Sequence, residues 1–253
     1  MSTERFIRQE FLNDISPDAQ KILRDSGALI LGAGGLGSPV LLYLAGAGVG
    51  RITIADRDVI TESNLNRQIL YTPAMIGLPK AQAAADYLKS FYPDGRITPY
   101  IGDITAEWLD ELIPRHRLVF DCCDNHATRM LIAESCHKHH APCVVTGISR
   151  LEGFTFISIP GKTVCYGCLY GTPPPKTACI PQVLGATAGV FGSLAAASGI
   201  LFLLGHNGQE QMVLADLKRM AFDTVETARS KDCPVCAQDK GTAGCVKTPQ
   251  TSF

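Results

Sequence analysis

The chain has 253 residues, 46% of them hydrophobic and 19% charged, which suits one large α/β domain or two small ones with a substantial core. A formal net charge of −1 leaves no excess of Lys and Arg to neutralise a phosphate backbone, which argues against nucleic acid as the main partner. Residues 1–10 mix acids and bases without an apolar core, so no secretory signal is read there and a cytoplasmic location is expected; in that compartment the ten Cys point to metal ligation or thiol chemistry rather than disulfides.

Ser16 to Arg24 is predicted as a short helix capped by Ser16, with Pro17 at its first position. Ala28 to Leu31 is a short apolar strand that runs into a glycine loop, and Val40 to Ala47 is an apolar helix behind it. Arg51 to Ala55, rich in β-branched residues, completes a βαβ unit and ends at Asp56. A helix follows from Pro79 to Ser90, a third strand from Arg96 to Ile101, and a short helix from Ala106 to Ile113. Leu118 to Asp121 is a fourth strand, Ala127 to His140 a helix, and Cys143 to Thr146 a fifth strand. This alternation predicts a parallel sheet covered on both faces.

The pattern changes after residue 150. Phe154 to Ile159 alternates like an antiparallel strand, and a Pro-rich loop spans Gly171 to Pro181. Val183 to Leu204 carries no charge and is as long as the roughly 20 residues of a membrane helix. Its Gly and Thr residues fit a buried helix, Ala186 to Leu204, with its entry turn, so no membrane span is expected. Gln211 to Ala215 and Met220 to Val225 are two further strands, and residues 238–253 read as a flexible tail.

The glycine loop is Gly32-x-Gly34-Gly35-x-Gly37, between the first strand and its helix. Its glycines permit a tight turn and close approach of a phosphate to backbone N–H groups at a helix N-terminus. Asp56 lies 19 residues past Gly37, where its carboxylate can accept hydrogen bonds from ribose hydroxyls. These features fix a nucleotide site, and alone they would equally suit an NAD-dependent oxidoreductase. The polar run from Asp58 to Gln68, with Asn64 and Arg67, and then Lys80, adds what a triphosphate needs. Arg binds phosphate oxygens bidentately and Lys acts as a mobile point charge, so together they stabilise charge on the α-phosphate and on departing pyrophosphate. Asp121-Cys122-Cys123-Asp124-Asn125 closes the fourth strand, and ligands of open α/β sheets sit at such strand ends. Asp124 is a candidate Mg²⁺ ligand there; the competing role is helix N-cap, for which Asn125 is a rival.

Cys165-x-x-Cys168 and Cys233-x-x-Cys236 suit a structural, tetrahedral Zn²⁺, with a redox pair as the alternative. Cys179, in the Pro-rich loop before the apolar helix, is either a nucleophile of lowered pKa or an incidental loop thiol. Cys122, Cys123, Cys136 and Cys143 read as core or helix positions. His137, His139 and His140 read as positive groups near a helix C-terminus rather than a metal site.

The glycine loop, Asp56, Ser63-Asn64-Leu65-Asn66-Arg67-Gln68, Lys80, Asp121-x-x-Asp124-Asn125 and both Cys pairs together resemble the MoeB/ThiF/HesA family, relatives of the ubiquitin-activating enzymes, over Arg5 to Cys236. The resemblance implies an α/β fold: a Rossmann-like ATP-binding domain with a mixed, mostly parallel sheet extended by antiparallel C-terminal strands. It implies one adenylyltransferase domain over residues 1–237, with a nucleotide-binding half (1–150) and a carrier- and zinc-binding half (151–237). The implied cofactors are ATP, Mg²⁺ and structural Zn²⁺. The implied substrate is the C-terminal Gly-Gly carboxylate of a ubiquitin-like sulfur-carrier protein, MoaD- or ThiS-like, in molybdopterin or thiamine biosynthesis.

Under this resemblance Asp56 is the ribose-binding Asp, Asn64, Arg67 and Lys80 contact phosphates with Gln68 and Asn125 beside them, and Asp124 is the Mg²⁺-linked catalytic Asp. Arg8, within Arg5-Phe6-Ile7-Arg8-Gln9, resembles an Arg that reaches the ATP of a partner subunit, so a homodimer is implied. Cys179 matches a loop cysteine that in some members links covalently to the carrier, although Pro181 departs from the expected pattern. The chain ends soon after the second Cys pair without a rhodanese-like domain, so a separate sulfur donor is expected. A catalytically silent scaffold of this fold would be expected to lack Arg67, Lys80 or Asp124, and all three are present. An oxidoreductase leaves Asn64, Arg67, Lys80 and the Cys pairs unexplained.

Overall fold

The computed structural model describes residues 3–12, 16–171, 182–206 and 211–237. Strands β1 (Gly27–Leu31), β2 (Arg51–Ala55), β3 (Arg96–Tyr100), β4 (Leu118–Asp121) and β5 (Cys143–Ser149) pair in parallel. Strands β6 (Glu152–Ser158), β7 (Gln211–Asp216) and β8 (Ala221–Glu226) extend the sheet antiparallel. The eight strands lie in the order β3-β2-β1-β4-β5-β6-β7-β8. The change of direction falls at the turn after Ser149, where Arg150 takes a positive φ of 54° and Ser149 pairs with Glu152.

Every residue of β1 is buried, because helices cover both faces of the sheet. Strand side chains alternate between faces. Ala28, Ile30, Ile52, Ile54, Leu118 and Phe120 pack on one side, while Leu29, Leu31, Val119 and Val145 pack on the other. The first side is covered from α2 (Ala19–Asp25) by Leu23, from α3 (Gly37–Ala47) by Leu41 and Leu44, and from α4 (Lys80–Phe91) by Ala84 and Leu88. Phe6, just before the short α1 (Ile7–Glu10), joins the same core. The second side takes Leu109 from α5 (Ala106–Leu112), Ile132 and Cys136 from α6 (His126–Lys138), and Tyr166 from α7 (Tyr166–Tyr170).

Helix α8 (Gly185–Leu203) is long and apolar enough to cross a membrane by length and composition. It packs against α3, β5 and β6, and its buried Phe191, Ala195 and Leu203 fill the first core. Truncating Phe191 there would cost on the order of 3–5 kcal/mol. The helix start is tied to the β5–β6 turn, since the Arg150 carbonyl accepts Leu184 N–H at 3.2 Å and the Thr187 hydroxyl at 3.2 Å.

The start of α2 differs from the sequence expectation. Ser16 Oγ accepts Asp18 N–H at 3.3 Å and the Ser16 carbonyl accepts Ala19 N–H at 2.9 Å. This turn precedes the helix, so Pro17 lies in the turn and the cap position falls to Asp18, which makes no side-chain cap bond. The short α7 has no counterpart in the sequence expectation.

His116 is buried between β2 and the end of α5. Its Nδ1–H donates to the Leu112 carbonyl at 2.7 Å, which leaves Nε2 to accept from the Thr53 hydroxyl at 2.8 Å. Burial pushes its pKa below the ordinary 6.5. A buried imidazole of depressed pKa stays neutral while the unfolded chain takes up a proton. Its contribution is therefore full above about pH 6.5 and is lost as pH falls towards the folded pKa. The thermal midpoint should drop between about pH 7 and pH 5.5, and His116→Gln should lower it at pH 7 while shrinking that drop. An unchanged drop in His116→Gln would assign the acid sensitivity to other groups.

Candidate active site

The strand order reverses between β1 and β4, so their carboxyl ends diverge and open a crevice. The chain leaves β1 at Gly32 with φ +98°, and a Cβ there would stand 2.8 Å from the Cys122 carbonyl oxygen. Only glycine fits that conformation and that approach. A Cβ on Gly37, the first residue of α3, would collide with the Gly32 carbonyl oxygen. The loop is thus folded tightly on itself, with the first turn of α3 at the crevice. Its N–H groups and helix dipole are the donors an anion takes.

Asp56 ties this loop to the chain beyond β2. Its Oδ2 accepts Ala33 N–H at 2.8 Å and its Oδ1 accepts Asp58 N–H at 2.8 Å. Burial raises its pKa, opposed by those two N–H groups and by the Lys80 charge. Each oxygen keeps a further lone pair that can accept a hydroxyl. Asp58 in turn accepts the Lys80 ammonium at 2.9 Å, and the Lys80 side chain is only 7% exposed. The Tyr71 hydroxyl donates to the Ala33 carbonyl at 2.7 Å, with the Lys80 carbonyl next at 3.2 Å, so the start of α4 is held under the loop.

The run after Asp56 folds over the loop from the other side. A side chain at Gly35 would meet Arg67 Cγ at 3.5 Å and Ala188 Cβ at 3.2 Å, and one at Gly34 would meet Gln68 Nε2 at 3.5 Å. Arg67 Nη1 donates to the Ser63 carbonyl at 2.9 Å and to Asn66 Oδ1 at 3.0 Å. Asn64 Oδ1 accepts Thr61 N–H at 3.3 Å and shapes the 3₁₀ turn Glu62–Asn64. Gln68 is buried, and its Oε1 has no hydrogen-bond partner. A buried amide oxygen left unpaired beside a glycine loop is a polar group ready for a donor.

At the end of β4, Asn125 Oδ1 accepts Thr128 N–H at 2.9 Å and caps α6. The capping role foreseen as a possibility for Asp124 therefore falls to Asn125, and Asp124 stays exposed at the crevice. Arg57, at the end of β2, has a raised pKa, first from its hydrogen bond to Asp103 and also from the Asp58 and Asp124 charges. Gly32, Gly34, Gly35, Gly37, Asp56, Arg67, Gln68 and Lys80 thus gather around one loop, with Asp124 and Asn125 at the adjoining strand end. Sequence reasoning assigned no role to Asp58 or Tyr71. The position of Asp58 two residues after Asp56 was a usable signal; Tyr71 offered none.

Arg8 does not join this group. Gln9 Nε2 donates to the Ala47 carbonyl at 2.8 Å and to Gln20 Oε1 at 2.6 Å, which holds α1 at the C-terminal end of α3. The glycine loop is at the other end of that helix, roughly 16 Å away at 1.5 Å per residue. Arg8 is exposed there. Cys179, Pro181, Cys245 and the tail 238–253 lie outside the described residues. Cys122, Cys123, Cys136 and Cys143 are buried in the core. His139 Nε2 and Lys138 Nζ both bond Asp110, at 2.7 Å and 2.6 Å.

The Sγ atoms of Cys165, Cys168, Cys233 and Cys236 all lie within 4.8 Å of one another. Three of the separations are 3.7, 3.5 and 3.4 Å, close to the roughly 3.8 Å edge of a tetrahedron with 2.3 Å metal–sulfur bonds. Val235 and Cys236 N–H groups both point at Cys233 Sγ at 3.4 Å. Hydrogen bonds from Cys165 and then Cys236 hold Cys168 far below the ordinary thiol pKa. The donor set and spacing fit a four-coordinate Zn²⁺. Freshly purified protein should contain one Zn per chain, and Cys236→Ser should lose it and lower the thermal midpoint by roughly 10 °C. Metal content well below one per chain, with an unshifted midpoint in Cys236→Ser, would remove the metal from the account.

An open, doubly wound sheet with a glycine loop and acid at its switch point, joined to a four-cysteine cluster, defines a Rossmann-like nucleotide-binding protein. The chain belongs to the ThiF family, whose profile matches residues 6–235. It is 37% identical over 236 residues to the sulfur carrier protein ThiS adenylyltransferase of Escherichia coli, across 92% of this chain and 94% of that protein. It is 35% identical to the sulfur carrier protein adenylyltransferase of Thermus thermophilus, across 93% of this chain and 91% of that protein. It is also 35% identical to the adenylyltransferase and sulfurtransferase MOCS3 of Culex quinquefasciatus, where it spans 55% of the length. Among solved structures, E. coli MccB with AMPCPP and MccA superposes with a TM-score of 0.82 at 21% identity, across 94% of this chain and 75% of that one, which shows the shared fold.

Proposed function

We propose that this chain adenylylates the C-terminal Gly-Gly carboxylate of a ubiquitin-like sulfur-carrier protein, MoaD- or ThiS-like, consuming ATP and releasing pyrophosphate. The observation that carries this is the convergence of Arg67, Lys80 and Gln68 on one glycine loop, with an acid at each adjoining strand end. The near full-length likeness to two sulfur-carrier adenylyltransferases supports the same reaction. Residues 1–150 would hold the nucleotide, and residues 151–237 the carrier and the zinc. Thiols that serve as metal ligands or core residues suit the cytoplasm.

In this reading the ribose hydroxyls donate to Asp56, and the triphosphate lies along the loop N–H groups. Asn64, Arg67 and Lys80 face its oxygens, and Asn125 lines the mouth. The carrier carboxylate attacks the α-phosphorus, a bond forms to that oxygen, and the bond to the bridging oxygen of pyrophosphate breaks. Arg67 and Lys80 stabilise the charge gathering on the departing group, which is electrostatic catalysis by fixed donors. Asp58 accepts the Lys80 ammonium at 2.9 Å, which holds that cation near the loop. Asp124 would hold Mg²⁺, which supplies charge neutralisation at the phosphates. A sulfur nucleophile then displaces AMP from the acyl-adenylate, directly or through Cys179.

Arg8 lies too far from its own glycine loop to share that work, and its proposed role is on the ATP of a second copy in a homodimer. Carrier-dependent exchange of pyrophosphate into ATP is expected, with Asp124→Ala lowering it by about 100-fold or more. Absence of exchange with both MoaD- and ThiS-type carriers would sink the proposal. Arg8→Ala and Asp124→Ala proteins, each weak alone, should recover about a quarter of wild-type activity after subunit mixing. Recovery requires that Arg8 serve the opposite subunit; an Arg8 acting within its own chain would give none.

A further inference from the structure

Behind Asp124 lies a buried charged pair that the reaction above leaves without a task. Asp121, the last residue of β4, is 1% exposed, and its Oδ1 accepts Cys123 N–H at 3.1 Å. Arg129, one turn into α6, is buried as well. Its Nε donates to the Cys123 carbonyl at 2.7 Å, and its Nη2 donates to the Thr146 carbonyl of β5. Both backbone polar groups of Cys123 are therefore held, one by each member of the pair. Cys123 is the residue whose peptide bond leads into Asp124.

Arg129 is not simply neutralising Asp121. Its Nε stands 3.8 Å from Asp121 Oδ2, longer than its bond to the Cys123 carbonyl. A planar guanidinium can serve two carbonyls on different strands at once, which a Lys ammonium on a flexible stem does poorly. The guanidinium also lies over the Tyr166 ring, whose centroid is 5.3 Å from Cζ. Tyr166 directly follows Cys165 of the four-cysteine cluster, stacks on Tyr170 at 5.0 Å, and sets its hydroxyl 3.1 Å from His126 Nδ1. A contact chain thus runs from Cys165 through Tyr166, Arg129 and Cys123 to Asp124.

We infer that Arg129 is a positioning residue that sets Asp124 through the Cys123 peptide, and that Tyr166 ties this clamp to the four-cysteine cluster, so that a metal held there steadies the catalytic strand end. The inference rests on Asp124 acting in adenylylation as proposed above.

The test compares Arg129→Lys, Tyr166→Leu and Tyr166→Phe with the unaltered chain in two measurements. One is carrier-dependent pyrophosphate exchange; the other is amide deuteration of residues 120–128, with the metal present and after chelation. Arg129→Lys and Tyr166→Leu should lower kcat by about tenfold or more while KM for ATP stays within about twofold, because misplacing one group by a fraction of an ångström costs rate rather than binding. Tyr166→Phe keeps the ring and should rescue kcat to within about twofold. Deuteration of 120–128 should quicken in Tyr166→Leu and on chelation of the unaltered chain, with unfolding still cooperative. If Arg129→Lys does not fold, Tyr166→Leu decides alone. Unchanged deuteration in Tyr166→Leu and after chelation overturns the inference, as does a change confined to KM for ATP. Deuteration does not depend on turnover. A chain with no pyrophosphate exchange whose 120–128 segment still loosens on chelation would overturn the functional reading and leave the clamp standing.

Discussion

The carboxylate of Asp56 is the tie on which the crevice depends. One oxygen accepts Ala33 N–H of the glycine loop, and the other accepts Asp58 N–H two residues on. The first bond fixes the end of β1 against the end of β2. The second turns the chain so that Asp58 faces Lys80, and the Lys80 backbone N–H bonds back to the Asp58 carbonyl at 2.9 Å. Loop, acid and cation are thereby set by one side chain, whose pKa burial raises against the pull of the two N–H groups it accepts. Both bonds carry charge while Asp56 is ionised, and charge-assisted bonds of this kind are about twice as strong as neutral ones.

The site draws on both sides of the sheet. The glycine loop, Arg67, Gln68 and Lys80 come from segments packed on the α3, α4 and α8 side, where Ala188 of α8 touches the loop. Asp124 comes from the end of β4, whose backing is Arg129, Tyr166 and the cysteine cluster on the α5 and α6 side. A parallel sheet with covered faces makes this possible, since only the strand ends are free to carry chemistry. The antiparallel strands β6 to β8 widen the sheet on the side of β5, away from β3.

Much of the fold was legible in residue patterns. The β-branched run of β2, the apolar β1 and β4 and the intervening helices carry strong local signals, and their boundaries match to within a few residues. The pairing of the two Cys-x-x-Cys segments was legible from their spacing, and their four Sγ atoms do lie within 4.8 Å of one another. Helix starts were less so: Ser16 and Pro17 look like a cap and first turn, yet a preceding turn uses the Ser16 groups. The rivalry between Asp124 and Asn125 was open because both residue types cap helices, and only the geometry of Thr128 N–H separates them. Asp58, Tyr71 and Arg129 went unassigned because their roles are defined by partners distant in sequence. The side-chain motif at Arg8 was visible, but its separation from the glycine loop is a property of the folded chain.

A glycine loop ringed by Arg67, Gln68 and Lys80 suits a triphosphate rather than a dinucleotide. Titration calorimetry with Mg·ATP and with NAD⁺ on the same preparation tests it most directly. Heat is expected for ATP at one site per chain, weakened about tenfold or more by Lys80→Ala, and none for NAD⁺. Binding of NAD⁺ without binding of ATP would contradict it.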